Sequence, residues 1–251
     1  MAGGSSTAVL LRVRPAQAEP PFQATGTPLA GAGALRPPWS VLVVREGVYV
    51  RLVKPVTDRL FAVMMLLLLA PLLCGLLLVV RLKLGAPAIF RQERVGRGSR
   101  LFTIYKVRTM LSEAPLPATR EKERDWPRPA SVVSDMHKSD TDPRHTPLGR
   151  VLRRLSLDEL PQLWNVLRGD MSLVGPRPEM IHMVERNNLW NHPRHLARPG
   201  LTGAWQVSPD RNKPIHENLH HDLDYIARVT FLGDMKILGQ TVGCVFGRRG
   251  A

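Results

Sequence analysis

Asp158 and Glu159 stand side by side in Ser156-Leu157-Asp158-Glu159-Leu160-Pro161-Gln162-Leu163-Trp164-Asn165-Val166-Leu167-Arg168-Gly169. Arg150, Arg153 and Arg154 come just before this stretch, and Arg177 follows it between Pro176 and Pro178. Two adjacent carboxylates offer two kinds of chemistry. They can hold a divalent cation, because Mg2+ is commonly bound by one or two carboxylates together with substrate phosphates. Alternatively, one of them can attack phosphorus, as an aspartate does in ATPases that form aspartyl-phosphate. The arginines raise the value of the pair. Prolines on both sides of Arg177 fix its backbone and present the guanidinium with little entropy to lose. Phosphoryl transfer uses a group of that shape to spread developing charge. A surface arginine in a rigid turn is the plainer account.

The plainer account of the acidic pair is a capped helix. Pro161 has no N–H and fits only where a helix is beginning, so the pattern predicts a start near Ser156. The Ser156 hydroxyl would cap that helix, with Glu159 as the partner in a capping box. Leu160, Leu163, Trp164 and Leu167 would share one buried face, and Gly169 would end the run. Carboxylates in the first turn lie at the positive end of the helix dipole, which also attracts phosphate.

A second constellation is His216-Glu217-Asn218-Leu219-His220, which matches H-E-x-x-H, a zinc-protease pattern with two ligands one helical turn apart. No glycine and third histidine follow at the expected spacing, and Pro214 means that a helix has only just begun there. Exposed histidines on a helix face are the better account.

The elements that must position these groups are read from the rest of the chain. It has 251 residues, 44% of them apolar, enough for one domain. A formal net charge of +14 calls for an anionic partner: nucleic acid, acidic lipid or a phosphorylated substrate. Only Cys74 and Cys244 are present, so no disulfide framework is indicated and a reducing compartment fits. No signal peptide is evident at the N-terminus.

Residues 1–40, rich in Gly, Ala and Pro, read as a disordered tail. Residues 41–44 are either a short strand or an apolar patch near a membrane. From Leu60 to Val80 the chain is almost wholly apolar, and as a helix it would reach roughly 31 Å, about the hydrocarbon thickness of a bilayer. Basic residues flank both ends: Arg51, Lys54 and Arg59 before, Arg81 and Lys83 after. A single straight span would send one basic flank outward, against the positive-inside rule. Pro71, followed by Gly75, predicts a kink or break at Ala70–Pro71. A re-entrant helix that breaks there and returns satisfies both flanks. Asp58 is placed to pair with a basic neighbour near the interface.

Residues 81–108 carry eight Lys/Arg against Glu93 alone and read as short strands and turns against the headgroups. Neither a zinc-finger spacing nor an RNP-like aromatic motif is present, so no nucleic-acid partner is expected. Residues 112–141 read as a mobile loop. Thr146-Pro147 opens a helix with Leu148, Val151, Leu152 and Leu155 on its apolar face. Further helices are predicted from Glu179 to about Asn188 and from Ile215 to Val229. Met235 to Phe246 reads as an interfacial amphipathic helix. The fold class is α+β: a mostly helical domain with short strands over 84–247, anchored by residues 41–83.

At this point a family resemblance is carried by whole motifs. They are Lys54-x3-Asp58 with the Pro71 run, Phe90-Arg-Gln-Glu-Arg-Val-Gly96, Tyr105-Lys106-Val-Arg108-Thr-Met110 and Asp142-x-Arg144-x-Thr146-x2-Gly149-Arg150. Next come Ser156-Leu-Asp158-Glu159-Leu-Pro-Gln-Leu, Gly169-Asp170-Met-Ser-Leu-Val-Gly175-Pro-Arg177-Pro178 and Arg198-Pro-Gly200-Leu-Thr-Gly203-x-Trp205-Gln206-Val. In this order the chain resembles the bacterial sugar transferases, the monotopic phosphoglycosyl transferases, in their small form.

The resemblance implies a reaction that opens polysaccharide or glycoconjugate synthesis. A UDP-sugar and polyprenol phosphate (undecaprenyl-type) would give polyprenol-diphosphate-sugar and UMP, with Mg2+. It also implies a covalent phospho-sugar on Asp158, with Glu159 supporting metal binding or proton handling, so that Asp158 and Glu159 would be the metal residues. Arg153, Arg177, Arg198 and Gln206 would bind phosphates or the nucleotide-sugar. The broken helix would be re-entrant in the inner membrane, with the catalytic domain on the cytoplasmic face. Val207 is followed by Ser208-Pro209-Asp210-Arg211 where the family often has x-Gly-Arg, which puts the contacts there in question. A non-catalytic basic module tethered to the membrane is the alternative function.

Overall fold

A computed structural model describes residues 47–111 and 144–246. The expected tail, residues 41–44 and the 112–141 loop lie outside the described residues. A π-helical turn at Tyr49–Val53 runs into α1, Lys54–Leu84. Strands β1 (Ile89–Val95) and β2 (Leu101–Val107) form an antiparallel hairpin. Helices α2 (Pro147–Arg154) and α3 (Gln162–Arg168) follow, and β3 (Ser172–Val174) pairs in parallel with β4 (Gly200–Thr202). Short helices α4 (Ile181–Arg186), α5 (Ala204–Val207) and α6 (His220–Ala227) lead to α7, Phe231–Phe246. The architecture is mixed and mostly helical, with two small sheets, in agreement with the α+β expectation.

The apolar run forms the one helix among the described residues that is long and apolar enough to cross a membrane. Pro71 does not end it: α1 continues unbroken from Lys54 to Leu84. The helix is thus not interrupted at Ala70–Pro71, which corrects the break, though not the kink, expected there. A proline removes one i to i−4 bond, here the bond to Leu67, and leaves the bonds on either side to carry the helix through.

Both ends of this helix pack on the same folded body. Ala62 joins Ile104, Leu163, Val166, Met171, Leu173, Val174 and Ile237 in the largest apolar core, with Met65 and Leu66 against it. Nearer the other end, Val80 packs with Val107 and Leu152, and Leu73, Leu76, Leu77 and Leu84 close around them. Leu67, Leu68 and Leu72, in the middle, stay exposed.

The N-terminal end of α1 is also tied by polar groups. Lys54 Nζ lies 2.6 Å from Asp234 Oδ2, an acid on α7 that is only 1% exposed. Tyr49 and Tyr225 donate their hydroxyls to the same carboxylate at 2.6 and 2.8 Å. Asp58 accepts from the Ser172 hydroxyl and lies 3.8 Å from Lys54, the basic neighbour the sequence placed near it. Buried carboxylates need their partners in place, and for Asp234 the Tyr49 turn, α1 and α6 supply them.

Thr146 caps α2 as expected, its hydroxyl accepting from the Gly149 N–H at 2.9 Å. Only part of the predicted apolar face of α2 is covered, since Val151 and Leu155 are about half exposed.

Candidate active site

The Asp158–Glu159 pair does not open a capped helix. Ser156 takes a left-handed conformation (φ 55°, ψ 20°) and makes no side-chain cap. Its N–H bonds back to the Arg153 carbonyl, so it closes the turn after α2 instead of beginning α3. Leu157–Glu159 form a 3-10 turn, and α3 starts only after Pro161. The capping box fails for a second reason: the Glu159 carboxylate is taken by Lys106, whose Nζ lies 2.9 Å away.

The expected buried face of α3 is also shifted. Trp164 is 49% exposed, while Asn165 and Val166 are buried. Asn165 accepts from the Tyr105 N–H at 3.2 Å and donates to the Thr103 carbonyl at 2.7 Å. It therefore satisfies backbone groups of β2 that would otherwise be buried without partners. Gly169 ends the helix in a left-handed conformation, as predicted.

The hairpin supplies the basic wall of the site. In its register Phe90 faces Lys106, Gln92 faces Ile104 and Arg94 faces Phe102, so Arg94 and Lys106 share one side of the ribbon. A pocket opens there, lined by Arg94, Lys106, Glu159, Gln162, Arg177 and Gln206 among others. Sequence reasoning missed Arg94, Lys106 and Gln162 as site residues. The signal was the period-2 spacing of Gln92, Arg94, Ile104 and Lys106, which places all four on one face once the strands are paired.

The Gly-Pro-Arg-Pro turn reaches this pocket because three glycines let backbones meet. A Cβ at Gly175, Gly200 or Gly203 would run into main-chain atoms of the facing segment, so β3, β4 and the turn can approach this closely only without side chains there. Arg94 donates to the Pro178 carbonyl at 3.4 Å, and burial lowers its pKa from 12.5 to about 10, with Arg177 adding to the fall.

The two carboxylates differ in electrostatic state. Burial pushes the Asp158 carboxyl from 3.8 up to about 6; the charge of Glu159 adds to the rise, and Lys106 and Arg153 oppose it. Burial acts in the same direction on Glu159, but Lys106 and then Arg177 outweigh it and hold that carboxyl below its ordinary value. One acid is thus poised near neutrality while its neighbour stays ionised.

Of the residues singled out in the sequence, Asp158, Glu159, Arg177 and Gln206 come together, with Arg153 close enough to act on Asp158. Arg153 is itself held by the Thr109 hydroxyl at 3.0 Å and His145 at 2.8 Å. Arg198 is placed elsewhere: its charged neighbours are Arg97, Arg59 and Asp58. Two of these, Arg59 and Asp58, belong to α1, and Arg198 is not among the residues that line the pocket. Ala70 and Pro71 lie in the middle of α1.

The H-E-x-x-H stretch does not form a helical pair of ligands. Ile215–Glu217 is a 3-10 turn, and α6 begins at His220. His220 instead lies with His221 and Asp210.

The site is thus a basic pocket beside a buried carboxylate, on a body packed along a helix long and apolar enough to cross a membrane. The chain matches the bacterial sugar transferase family over residues 49–248 and belongs to it. It is 38% identical over 224 residues to the UDP-glucose:undecaprenyl-phosphate glucose-1-phosphate transferase of Caulobacter vibrioides, covering 83% of this chain and 77% of that protein. It is 38% identical over 201 residues to the undecaprenyl-phosphate galactose phosphotransferase of Salmonella typhimurium, covering 80% and 42%. With the Streptococcus agalactiae galactosyl transferase CpsE the identity is 38% over 185 residues, covering 72% and 40%. The match thus takes in about two fifths of the length of the Salmonella and Streptococcus relatives.

Proposed function

We propose that this protein transfers a sugar phosphate from a UDP-sugar to polyprenol phosphate, giving polyprenol-diphosphate-sugar and UMP, as the first membrane step of polysaccharide or glycoconjugate synthesis. The observation that carries this reading is a buried acid, Asp158, set beside Lys106, Glu159 and Arg153, with Arg177 acting on Glu159. The names of the relatives supply the substrate classes. They also leave the non-catalytic binding module without support.

In the first half of the reaction an Asp158 carboxylate oxygen attacks the phosphorus next to the sugar. A bond forms between that oxygen and phosphorus, the bond to the UMP oxygen breaks, and UMP leaves with the electron pair. In the second half an oxygen of polyprenol phosphate attacks the same phosphorus and releases Asp158 as a carboxylate. Arg177 and Lys106 spread the charge that builds on the phosphoryl oxygens, and Arg94 and Gln206 line the pocket for the nucleotide-sugar. Arg198 stays part of this reading only as a contact for phosphate arriving along α1.

The donor set fits a hard divalent cation such as Mg2+. Asp158 and Glu159 would hold it together with diphosphate oxygens, and the like charge that raises the Asp158 pKa is one a cation offsets. When bound, the ion neutralises charge on the diphosphate.

The membrane placement in this reading is supported by α1. Basic flanks on both sides, and packing of both ends on one body, support a re-entrant helix with its apex near Ala70–Pro71 and both ends on the cytoplasmic face of the inner membrane. Phe231, Leu232, Met235 and Val242 on α7 are exposed, and Tyr49 meets Phe231 edge-on at 6.0 Å, so the apolar surface continues from α1 onto α7.

UMP release from UDP-sugars by purified protein in detergent or nanodiscs tests the reading. Asp158→Asn is expected to abolish release while the protein still fractionates with membranes. Intact-mass measurement without polyprenol phosphate is expected to show a phospho-sugar adduct on the wild type only. An active Asn variant overturns the covalent route.

A further inference from the structure

Arg194 is the largest side chain among the fully buried residues, 1% exposed in the turn Pro193–Leu196. Its Nη2 donates to the Arg177 carbonyl at 2.8 Å and lies 2.9 Å from Asp222 Oδ2 on α6. Its Nη1 is 4.0 Å from Glu179 Oε1, two residues beyond Arg177. Arg194 also lines a small cavity together with Gly96, Pro176, Arg177 and His195. Burying an arginine is expensive, and its partners here do not meet all of its donors: Nε and Nη1 make no hydrogen bond.

The position of the guanidinium explains what the arrangement accomplishes. In Pro176-Arg177-Pro178 the prolines have no N–H, so neighbours can grip the turn chiefly through its carbonyls. Arg194 takes the carbonyl of Arg177 and Arg94 that of Pro178, from separate elements. Between them the backbone that carries the Arg177 side chain is held in place, and that side chain lines the pocket beside Glu159. A planar guanidinium can serve a carbonyl and a carboxylate at once from one fixed orientation; a lysine ammonium on its flexible stem cannot reproduce both.

We propose that Arg194 is a positioning residue for the reaction: braced by Asp222, it fixes the backbone of Arg177 so that the Arg177 guanidinium meets the diphosphate in a set orientation. The proposal rests on the phosphate-binding role given to Arg177 above. It adds a residue that touches no substrate yet acts through one that does.

A double-mutant cycle in UMP release tests it, with Arg194→Lys, Arg177→Ala and the double variant, and the melting temperature followed for each. Misplacing a charge-stabilising group is expected to cost about tenfold in kcat/KM for Arg194→Lys in the wild-type background. In the Arg177→Ala background the same change is expected to cost less than about twofold, because the group it positions is gone. Equal losses in both backgrounds, or no loss in either, overturn the proposal while leaving the Arg177 role standing. Full activity of Arg177→Ala alone overturns that role and the proposal with it. Should Arg194→Lys fail to accumulate as folded protein, Asp222→Asn enters the same cycle, since it removes the brace and leaves the Arg177 carbonyl bond; the same two patterns decide.

Discussion

Lys106 on β2 and Glu159 in the turn before α3, far apart in sequence, meet at 2.9 Å. This ion pair joins the hairpin to the acidic turn and keeps Glu159 ionised beside an Asp158 that is pushed up to about 6. Asp158 therefore gains its charge near neutral pH, under the control of its neighbours.

That control sets a pH dependence. The acidic limb of UMP release is expected near pH 6, with activity rising as Asp158 ionises. Lys106→Met removes a cation that lowers the Asp158 pKa and should move the limb to higher pH. Glu159→Gln removes a like charge and should move it to lower pH. For stability the sign is opposite to that of a paired carboxylate. The folded chain holds the Asp158 proton more tightly than the unfolded chain, so this group disfavours folding progressively as pH rises from about 4 through about 6. Rate profiles of Lys106→Met and Glu159→Gln check the limb, and melts of Asp158→Asn against wild type across that window check the sign for stability.

Lys54 should matter for stability rather than for chemistry. Lys54→Met strands Asp234, 1% exposed, with two tyrosine hydroxyls and no cation. Removing one partner of a buried pair costs roughly 3–5 kcal/mol. Adding Asp234→Asn should return a large part of the loss, as read by the melting temperature in detergent. A Lys54→Met protein that melts with the wild type would contradict the buried pair.

Gly200→Ala should disrupt the site from a distance. The added methyl group would meet the Gly175 backbone and force β4 from β3, next to the Pro176-Arg177-Pro178 turn. Overpacking of this kind costs roughly 1–3 kcal/mol, and here the displacement should also raise KM for the UDP-sugar. Gly239→Ala, on α7 with open space around it, is the comparison that should leave both unchanged.

Cysteine labelling decides the course of α1. With Cys74 and Cys244 replaced, single cysteines at Val50 and Lys83 are expected to react from the same side of sealed vesicles. Reaction from opposite sides would make α1 a straight span, and the packing of both its ends on one body would then be absent in the bilayer.

The elements most legible in the sequence were those set by local chemistry. Thr146-Pro147 opens a helix, Gly169 closes one, and the 21-residue apolar run with basic ends forms a helix long and apolar enough to cross a membrane. The acidic pair was equally plain. What misled was also local: Ser156-x-x-Glu159 has the form of a capping box, and the box was lost to Lys106, a competitor that local sequence does not show. Trp164 fitted an apolar stripe, but the helix begins later and turns Asn165 inward to serve the edge of β2.

By itself, then, the sequence determined the candidate acidic pair, the order of the main elements and the presence of a long apolar helix, because residue type and short-range spacing decide these. Only the tertiary structure decided which cations face which acid. It paired Lys106 with Glu159, brought Arg94 into the pocket, set Arg198 apart from it and placed Arg194 behind Arg177. Electrostatic control of a carboxylate acts over a few ångströms through space, and the groups that exert it here come from strands, turns and helices that only packing brings together.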